Sequence, residues 1–230
     1  MTSPQNPAAP ARVVGSTHAV LPDFDGPVCS VFAGSPAHHI ADDLRAVPAA
    51  HAPLDGEVLT TRDPMAVLRH AGEVSPEAAH AVEQALHDAE IQAIDTAAPT
   101  PGAVEVLHAC QAAGRPVVVS NNTADAIRSY LDTRHLTGHV ADVVGRDPDD
   151  PRLMKPHPHL LATAVQRLDQ APDRCVLIGD AVTDIQATRA AGTRVIGYAN
   201  RPHKPVTLAD ADAVVTDMHE IARAITSVTV

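Results

Sequence analysis

The chain has 230 residues, a formal net charge of -11 and 2% aromatic residues, with no Trp. That length suits one large domain or a core with a modest insertion, and the core must be built from Ala, Val, Leu and Ile. So acidic a surface argues against nucleic acid as a partner, because phosphate-backbone binding needs clustered Lys and Arg.

From the N-terminus, Met1 to Ala11 is rich in Pro, Ala and polar residues and lacks a charged segment followed by an apolar one, so no secretory leader is expected. Residues 1–12 are expected to be a mobile tail. Strands are predicted at Ala19 to Leu21, Pro116 to Val119, Ala141 to Val144, Cys175 to Ile178, Arg194 to Gly197 and Ala213 to Val215. Several are continuous runs of Val, Ile and Leu, the pattern of strands covered on both faces. Between them lie helical stretches at Pro101 to Ala113, Thr123 to Asp132, His157 to Leu168, Asp184 to Ala191 and Asp217 to Ile225. Gly114 and Gly192 read as the C-caps of two of these. The alternation predicts a parallel sheet with helices on both faces, and ligands that bind beyond the C-terminal strand ends. Pro22 is awkward for a central strand, since proline cannot donate to a ladder, and it is read as marking the strand end.

Residues 34–98 break the rhythm. They read as helices near Ala37 to Val47, Asp63 to Ala71 and Ser75 to Ile94, the last opened by Ser75-Pro76-Glu77, a cap residue, a first-turn proline and an early acid. The expected layout is therefore a core of residues 13–33 and 99–230, with a helical cap, 34–98, inserted after the first strand.

The chemistry is concentrated at strand ends. Asp23 and Asp25 stand two apart after a short apolar run, with Gly26 behind them. Two such charges in one pocket repel, and a protein tolerates them when a cation lies between them or one acid stays protonated; an acidic turn is the plain alternative. Ser120-Asn121-Asn122 offers a hydroxyl, amides and backbone N–H groups at a helix start, where anions are attracted, although a plain N-cap would look the same. Lys155-Pro156-His157-Pro158 puts a Lys before a helix. Gly179-Asp180-Ala181-Val182-Thr183-Asp184 adds two more acids. Cys29 is close to the acid pair, but no base is placed beside it for thiol catalysis.

In this order, DxDG, a strand ending in Ser, Lys-Pro and GDxxxD resemble the motifs of the haloacid dehalogenase-like hydrolase superfamily over about Ala19 to Ile225. The resemblance implies a Rossmann-like, doubly wound parallel core with an all-helical cap. It implies Asp23 as nucleophile, forming an aspartyl-phosphate, and Asp25 as general acid and base. Ser120 and the Asn121 N–H would bind phosphate, and Lys155 would stabilise the transferring group. Mg²⁺ would be held by Asp23, the Asp25 carbonyl and Asp180, with Asp184 supporting the shell. Asp25 favours phosphate esters over carbon–halogen bonds, since a halide leaves without a proton. The absence of Lys from 34–98 argues against phosphonate cleavage. The implied activity is hydrolysis of a small phosphate monoester of phosphoglycolate or sugar-phosphate type. A sugar-phosphate mutase shares the acid pair, and a phospho-receiver module has acids at strand ends but no place for the insertion. Substrate contacts from the cap are sought first in His38 and His39, then in Arg45, His51, Asp55, Arg62 and Arg69. Pro27 and Pro22 depart from the family pattern without removing a reacting group. Three cysteines without a CxxC pair suit a reduced, cytoplasmic protein. With no apolar span for a bilayer, no membrane partner is expected; the expected state is a monomer or homodimer.

Overall fold

In the computed structural model, which describes residues 8–34, 36–50, 54, 56–111, 114 and 116–229, the Val-rich segments form parallel strands. In chain order the elements are α1 (Ala8–Val14), β1 (Ala19–Pro22), β2 (Cys29–Ser30), α2 (Ala37–Ala49), α3 (Pro64–Val74), α4 (Pro76–Ala93), β3 (Ala98–Pro99), α5 (Ala103–Cys110), β4 (Val117–Val119) and α6 (Ala124–Thr133). They continue with β5 (Asp142–Val144), α7 (His159–Arg167), β6 (Cys175–Gly179), α8 (Val182–Ala191), β7 (Arg194–Tyr198), α9 (Lys204–Thr207), β8 (Ala213–Val215) and α10 (Met218–Thr229).

A parallel ladder runs β1-β6-β7-β8, and β4 pairs in parallel with β5. β4 lies beside β1, so the chain winds outward from β1 in one direction and then in the other. The reversal falls at the C-terminal ends of β1, β4 and β6, where a doubly wound sheet opens a crevice. Both faces are covered: Val20, Ile178 and Ile196 pack with Ile221 and Ile225 on one side, and Leu21, Leu177 and Val195 with Leu160, Leu161 and Ile185 on the other.

Pro22 belongs to β1 and pairs with Ile178. Backbone groups alternate sides along a strand. Asp23 N–H donates to the Ile178 carbonyl at 2.8 Å, so the nitrogen of Pro22 faces β4. The missing donor thus falls on the side where no hydrogen-bonded ladder forms.

Three expectations need correction. Residues 1–7 lie outside the described residues, but the expected tail does not extend to 12: Ala8–Val14 is helical, and Val13 and Val14 are buried in the core against α10. α5 stops at Cys110 with Gln111 as its cap, so Gly114 is not its C-cap and sits beyond it at φ +114°. Gly192, at φ +73°, does cap α8. The antiparallel pair β2–β3 was not foreseen; it joins the segments that lead into and out of residues 34–98. Between them α2, α3 and α4 enclose a core of their own, Leu44, Val67, Leu68, Val82 and Leu86, to which Met154 also contributes. The foreseen start signals work: Asp63 Oδ1 accepts from Met65 N–H at 2.9 Å and Ser75 Oγ from Ala78 N–H at 3.1 Å.

Candidate active site

The end of β1 delivers Asp23 into the crevice, nearly buried, with its carboxylate accepting from Phe24 N–H at 2.7 Å. Lys155, 1% exposed, lies between two carboxylates: its Nζ is 2.8 Å from Asp23 Oδ2 and 2.7 Å from Asp184 Oδ1. The Nζ also donates to the Val119 carbonyl at 3.4 Å. The loop that carries Lys155, with a cis Lys155–Pro156 bond, is fixed by Asn121: Lys155 N–H donates to Asn121 Oδ1 at 2.8 Å, and Asn121 Nδ2 donates to the Lys155 carbonyl at 3.1 Å.

Asp184, 1% exposed, is held from behind. Its Oδ2 accepts from the Asp180 and Ala181 N–H groups, each at 3.0 Å. Gly179 makes this packing possible, since a Cβ there would lie 2.5 Å from Asp184 Oδ2. Asp184 Oδ1 faces Lys155 but has no aligned hydrogen bond. One carboxylate oxygen each of Asp23, Asp180 and Asp184 can be chosen within 4.8 Å of one another, an arrangement fit for a cation. The Asp25 carboxylate is outside that group; the expected contribution of Asp25 was its carbonyl. Asp180 is countered from outside by an ion pair with Lys204 and by Asn200 Nδ2 at 3.1 Å.

Asp25 projects into the open cleft, its Oδ1 accepting from Val31 N–H at 3.0 Å. Gly26 turns the chain away at φ +101°, and a Cβ there would strike the Asp180 carboxyl at 2.5 Å. No other residue fits that site without displacing Asp180.

Electrostatics separates these groups. Burial pushes Asp23 up to about 7, opposed by Lys155 and reinforced by Asp184. Asp25 has solvent access along the cleft, yet the protein packed round its base raises it to about 6, against the Val31 N–H and with help from Asp180 and Glu90. For Lys155 burial acts downward, but Asp184 and Asp23 outweigh it and hold the ammonium above its ordinary range. It is therefore a fixed positive charge.

Two cavities meet at Asp25 and Asp180. The smaller, about 240 Å³, holds Asp23, Ser120, Asn121, Lys155 and Asp184, with Asp63, Met65 and Arg69 of the helical segment opposite. The larger, about 490 Å³, is lined by His38, Arg62, Thr100, Asn200 and Arg201 among others. Of the sequence-derived candidates, Asp23, Asp25, Ser120, Asn121, Lys155, Asp180 and Asp184 come together. His38, Arg62 and Arg69 reach the cavities. His39 lines neither and lies against His38, with ring centroids 4.2 Å apart and the rings tilted by 57°. Arg45 instead binds the Thr61 carbonyl and Asp42; His51 and Asp55 lie outside the described residues.

Several cleft residues were missed. Asn200, Arg201 and Lys204 follow β7, and the strand-end rule that found Asp180 could have flagged them. Glu83, Glu90 and Arg146 form a buried ion network behind Ser120. Its sequence signal was faint: two acids seven apart on one face of an Ala-rich helix.

A family model described as haloacid dehalogenase-like hydrolase matches residues 19–192. A phosphoglycolate phosphatase of Xylella fastidiosa strain Temecula1 is 36% identical over 130 residues, 54% of this chain and 56% of that protein. A phosphoglycolate phosphatase of Escherichia coli strain K12 is 28% identical over 128 residues, 54% of this chain and 50% of that protein. The chain spans about half the length of the curated relatives it matches. The crystal structure of CbbY from Rhodobacter sphaeroides in complex with phosphate is similar with a TM-score of 0.67, at 18% identity, over 89% of this chain and 96% of that one. At that identity the likeness speaks for the fold alone. With the strand-end motifs gathered in one crevice and the family match running from β1 to the cap of α8, the chain belongs to the haloacid dehalogenase-like hydrolases.

Proposed function

We propose that the chain is a Mg²⁺-dependent phosphatase that hydrolyses a small phosphate monoester through a phosphorylated Asp23. The observation that carries this reading is the buried Lys155 ammonium held between Asp23 and Asp184, in the wall of a cleft that also contains Ser120 and Asp25.

In the first step an Asp23 carboxylate oxygen attacks phosphorus, and the bond from phosphorus to the ester oxygen breaks. Protonated Asp25 gives its proton to that leaving oxygen. In the second step Asp25, now ionised, takes a proton from water. The water oxygen bonds to phosphorus, the Asp23–phosphorus bond breaks, and inorganic phosphate leaves. A carboxyl near 6 can act in both directions close to neutral pH. Lys155 holds the phosphoryl oxygens without moving during the reaction, and the Ser120 hydroxyl joins it by turning its one proton from Asn122 Oδ1 to the phosphoryl group.

The donor set suits a hard divalent ion: three carboxylates close together, with one buried oxygen, Asp184 Oδ1, lacking an aligned hydrogen bond. Asp23, Asp180 and the Asp25 carbonyl would hold Mg²⁺, with Asp184 beside them. Once bound it would draw charge from the phosphoryl oxygens. The remainder of the substrate would occupy the larger cavity, where Arg62, Arg201 and His38 suit a second anionic or polar group, as in phosphoglycolate or a sugar phosphate. Helices α2 to α4 would act as the cap.

Released phosphate measured across a panel of phosphate esters, beside Asp23→Asn, tests this. Release that requires both Mg²⁺ and Asp23 is expected, with a loss on the order of 10⁴-fold or more in a variant that stays folded. Normal turnover by Asp23→Asn would overturn the mechanism. Isomerisation of a sugar phosphate without release would identify a mutase instead.

A further inference from the structure

Behind the Ser120 loop lies an ion network that the chemistry above does not use. Glu90, on α4, is fully buried, and its two carboxylate oxygens accept from four donors. Oε1 receives Asn122 Nδ2 at 2.8 Å and Arg146 Nη1 at 2.7 Å. Oε2 receives Thr123 N–H at 3.0 Å and Thr123 Oγ1 at 2.9 Å. Arg146, after β5, is 4% exposed; its Nε donates to Glu83 at 2.6 Å, and its Nη1 also donates to the Asn121 carbonyl at 3.1 Å. Its own N–H donates to the Asn122 carbonyl at 3.1 Å.

We propose that Glu90 and Arg146 are positioning residues that set the Ser120–Thr123 loop for phosphoryl binding from the helical segment. Residues 121, 122 and 123 each bond to one or both of them. Asn122 passes the constraint to the reacting side: with its Nδ2 fixed on Glu90, its Oδ1 accepts from Ser120 Oγ at 3.1 Å, and its N–H donates to the same Oγ at 3.3 Å. Ser120 Oγ is thereby fixed in the cleft that holds Asp23 and Lys155. Burying two carboxylates with one guanidinium is costly. A neutral, apolar contact between α4 and α6 would join the two parts at less cost, but it could not fix Ser120 in this way.

The proposal rests on the phosphatase reading, and Glu90→Gln tests it. Every group around the Glu90 oxygens donates, so an amide NH₂ must face a donor and release part of the loop. Leu86→Ala, on the same helix but in the separate α2–α4 core, destabilises without touching the network. Three quantities are measured in wild type and both variants: phosphate release, Mg²⁺ affinity by titration calorimetry, and amide hydrogen exchange at 120–124. In Glu90→Gln, exchange at Asn122 and Thr123 should rise at least about tenfold, and kcat/KM should fall about 10²-fold, the scale of a misplacement near 1 Å. Mg²⁺ affinity should hold, because the clustered carboxylates stand just after β1, just after β6 and in the first turn of α8, none of them on the Ser120–Thr123 loop. Leu86→Ala should keep its kcat.

Activity within threefold of wild type in folded Glu90→Gln would overturn the proposal, as would equal losses in Leu86→Ala. If Glu90→Gln does not fold, Arg146→Lys gives the same reading: it keeps the charge but cannot span both glutamates. A wild-type chain inactive on every ester would refute the phosphatase reading, and this proposal with it, even if exchange showed the loop to be braced.

Discussion

The two cavities that meet at Asp25 are built in opposite ways. On the strand-end side every charge has an internal partner: Asp23 and Asp184 share Lys155, Asn121 clamps the Lys155 backbone, and Arg146 and Glu90 brace the loop behind. On the other side Arg62 and Arg201 are exposed and make no ion pair among the described residues. The first arrangement keeps donors and charges in place before the substrate arrives, which is how electrostatic stabilisation of a transition state is achieved. The second leaves charge to be matched by whatever enters. On the proposed function, one half of the crevice serves the reaction and the other recognition, so substitutions in the two should fail differently.

The largest effects belong to the reacting half. Asp25→Asn removes the proposed proton donor but keeps the side-chain shape, and kcat should fall by roughly 10²–10⁴-fold. Esters with good leaving groups should lose least, because they need least protonation; equal losses across a leaving-group series would count against the assignment. Lys155→Met strands two buried carboxylates. Removing one partner of a buried pair costs about 3–5 kcal/mol, and the melting temperature should drop by roughly 10 °C, besides the loss of activity. The exposed pair Arg152–Asp150 is the contrast: Arg152→Ala should change stability by about 0–1 kcal/mol. Similar shifts in the two variants, by calorimetry, would erase the distinction between braced and exposed charge.

The reacting half was also the more legible one in the sequence. Asp23, Ser120 and Asp180 each follow a short apolar run, and Lys155 stands in a proline-stiffened loop just before a helix, so local pattern and local chemistry coincide. Helix starts were legible for the same reason, since Asp63 and Ser75 satisfy N–H groups two and three residues away. What escaped depends on distance along the chain. Glu90 meets Thr123 across 33 positions and Arg146 across 56, and no periodicity signals a pairing that only the docking of α4 creates. The pairing of Lys204 with Asp180, 24 residues away, is equally silent in the sequence, although the place of Lys204 after β7 is not. The first part of α1, Ala8 to Arg12, reads as tail because its Pro- and Ala-rich composition carries no helical signal; it is helical in the fold because the turn it shares with Val13 and Val14 packs against α10. His39 was chosen for closeness to the first motif; the turn of α2 directs His38, not its neighbour, to the cavity.

Metal addition examines the charge balance of the reacting half. Asp23 and Asp25 have folded values of about 7 and about 6, raised from 3.8. The folded state therefore binds protons more tightly than the unfolded state. The stability this confers is fully present below about pH 4 and is lost as pH rises through 6 and 7. A cation favours the ionised forms, so Mg²⁺ should stabilise more at pH 8 than at pH 5.5. At a hundredfold excess over Kd the gain is about 2.7 kcal/mol, or roughly 5–11 °C. Asp180→Asn should abolish most of the shift; an equal Mg²⁺ effect at both pH values would place the ion elsewhere.

The smallest effects are expected where the cavity is open. Arg201→Ala removes an exposed cation that has no ion pair among the described residues and touches none of the braced groups, so kcat should stay within about twofold. KM for an anionic ester should rise about tenfold, equivalent to about 1.4 kcal/mol. An interaction that is made equally with bound substrate and transition state changes KM in this way and leaves the chemical step alone. Two further readouts separate this from general damage. Being exposed, the contact should weaken with salt over the range in which the Debye length falls from about 10 to 3 Å, so the gap between wild type and variant should narrow. An ester of the same size with an uncharged leaving group should not distinguish the two proteins. If kcat falls instead and KM holds, Arg201 belongs with the braced charges, and the division of the crevice into a reacting and a recognising half is wrong at that position.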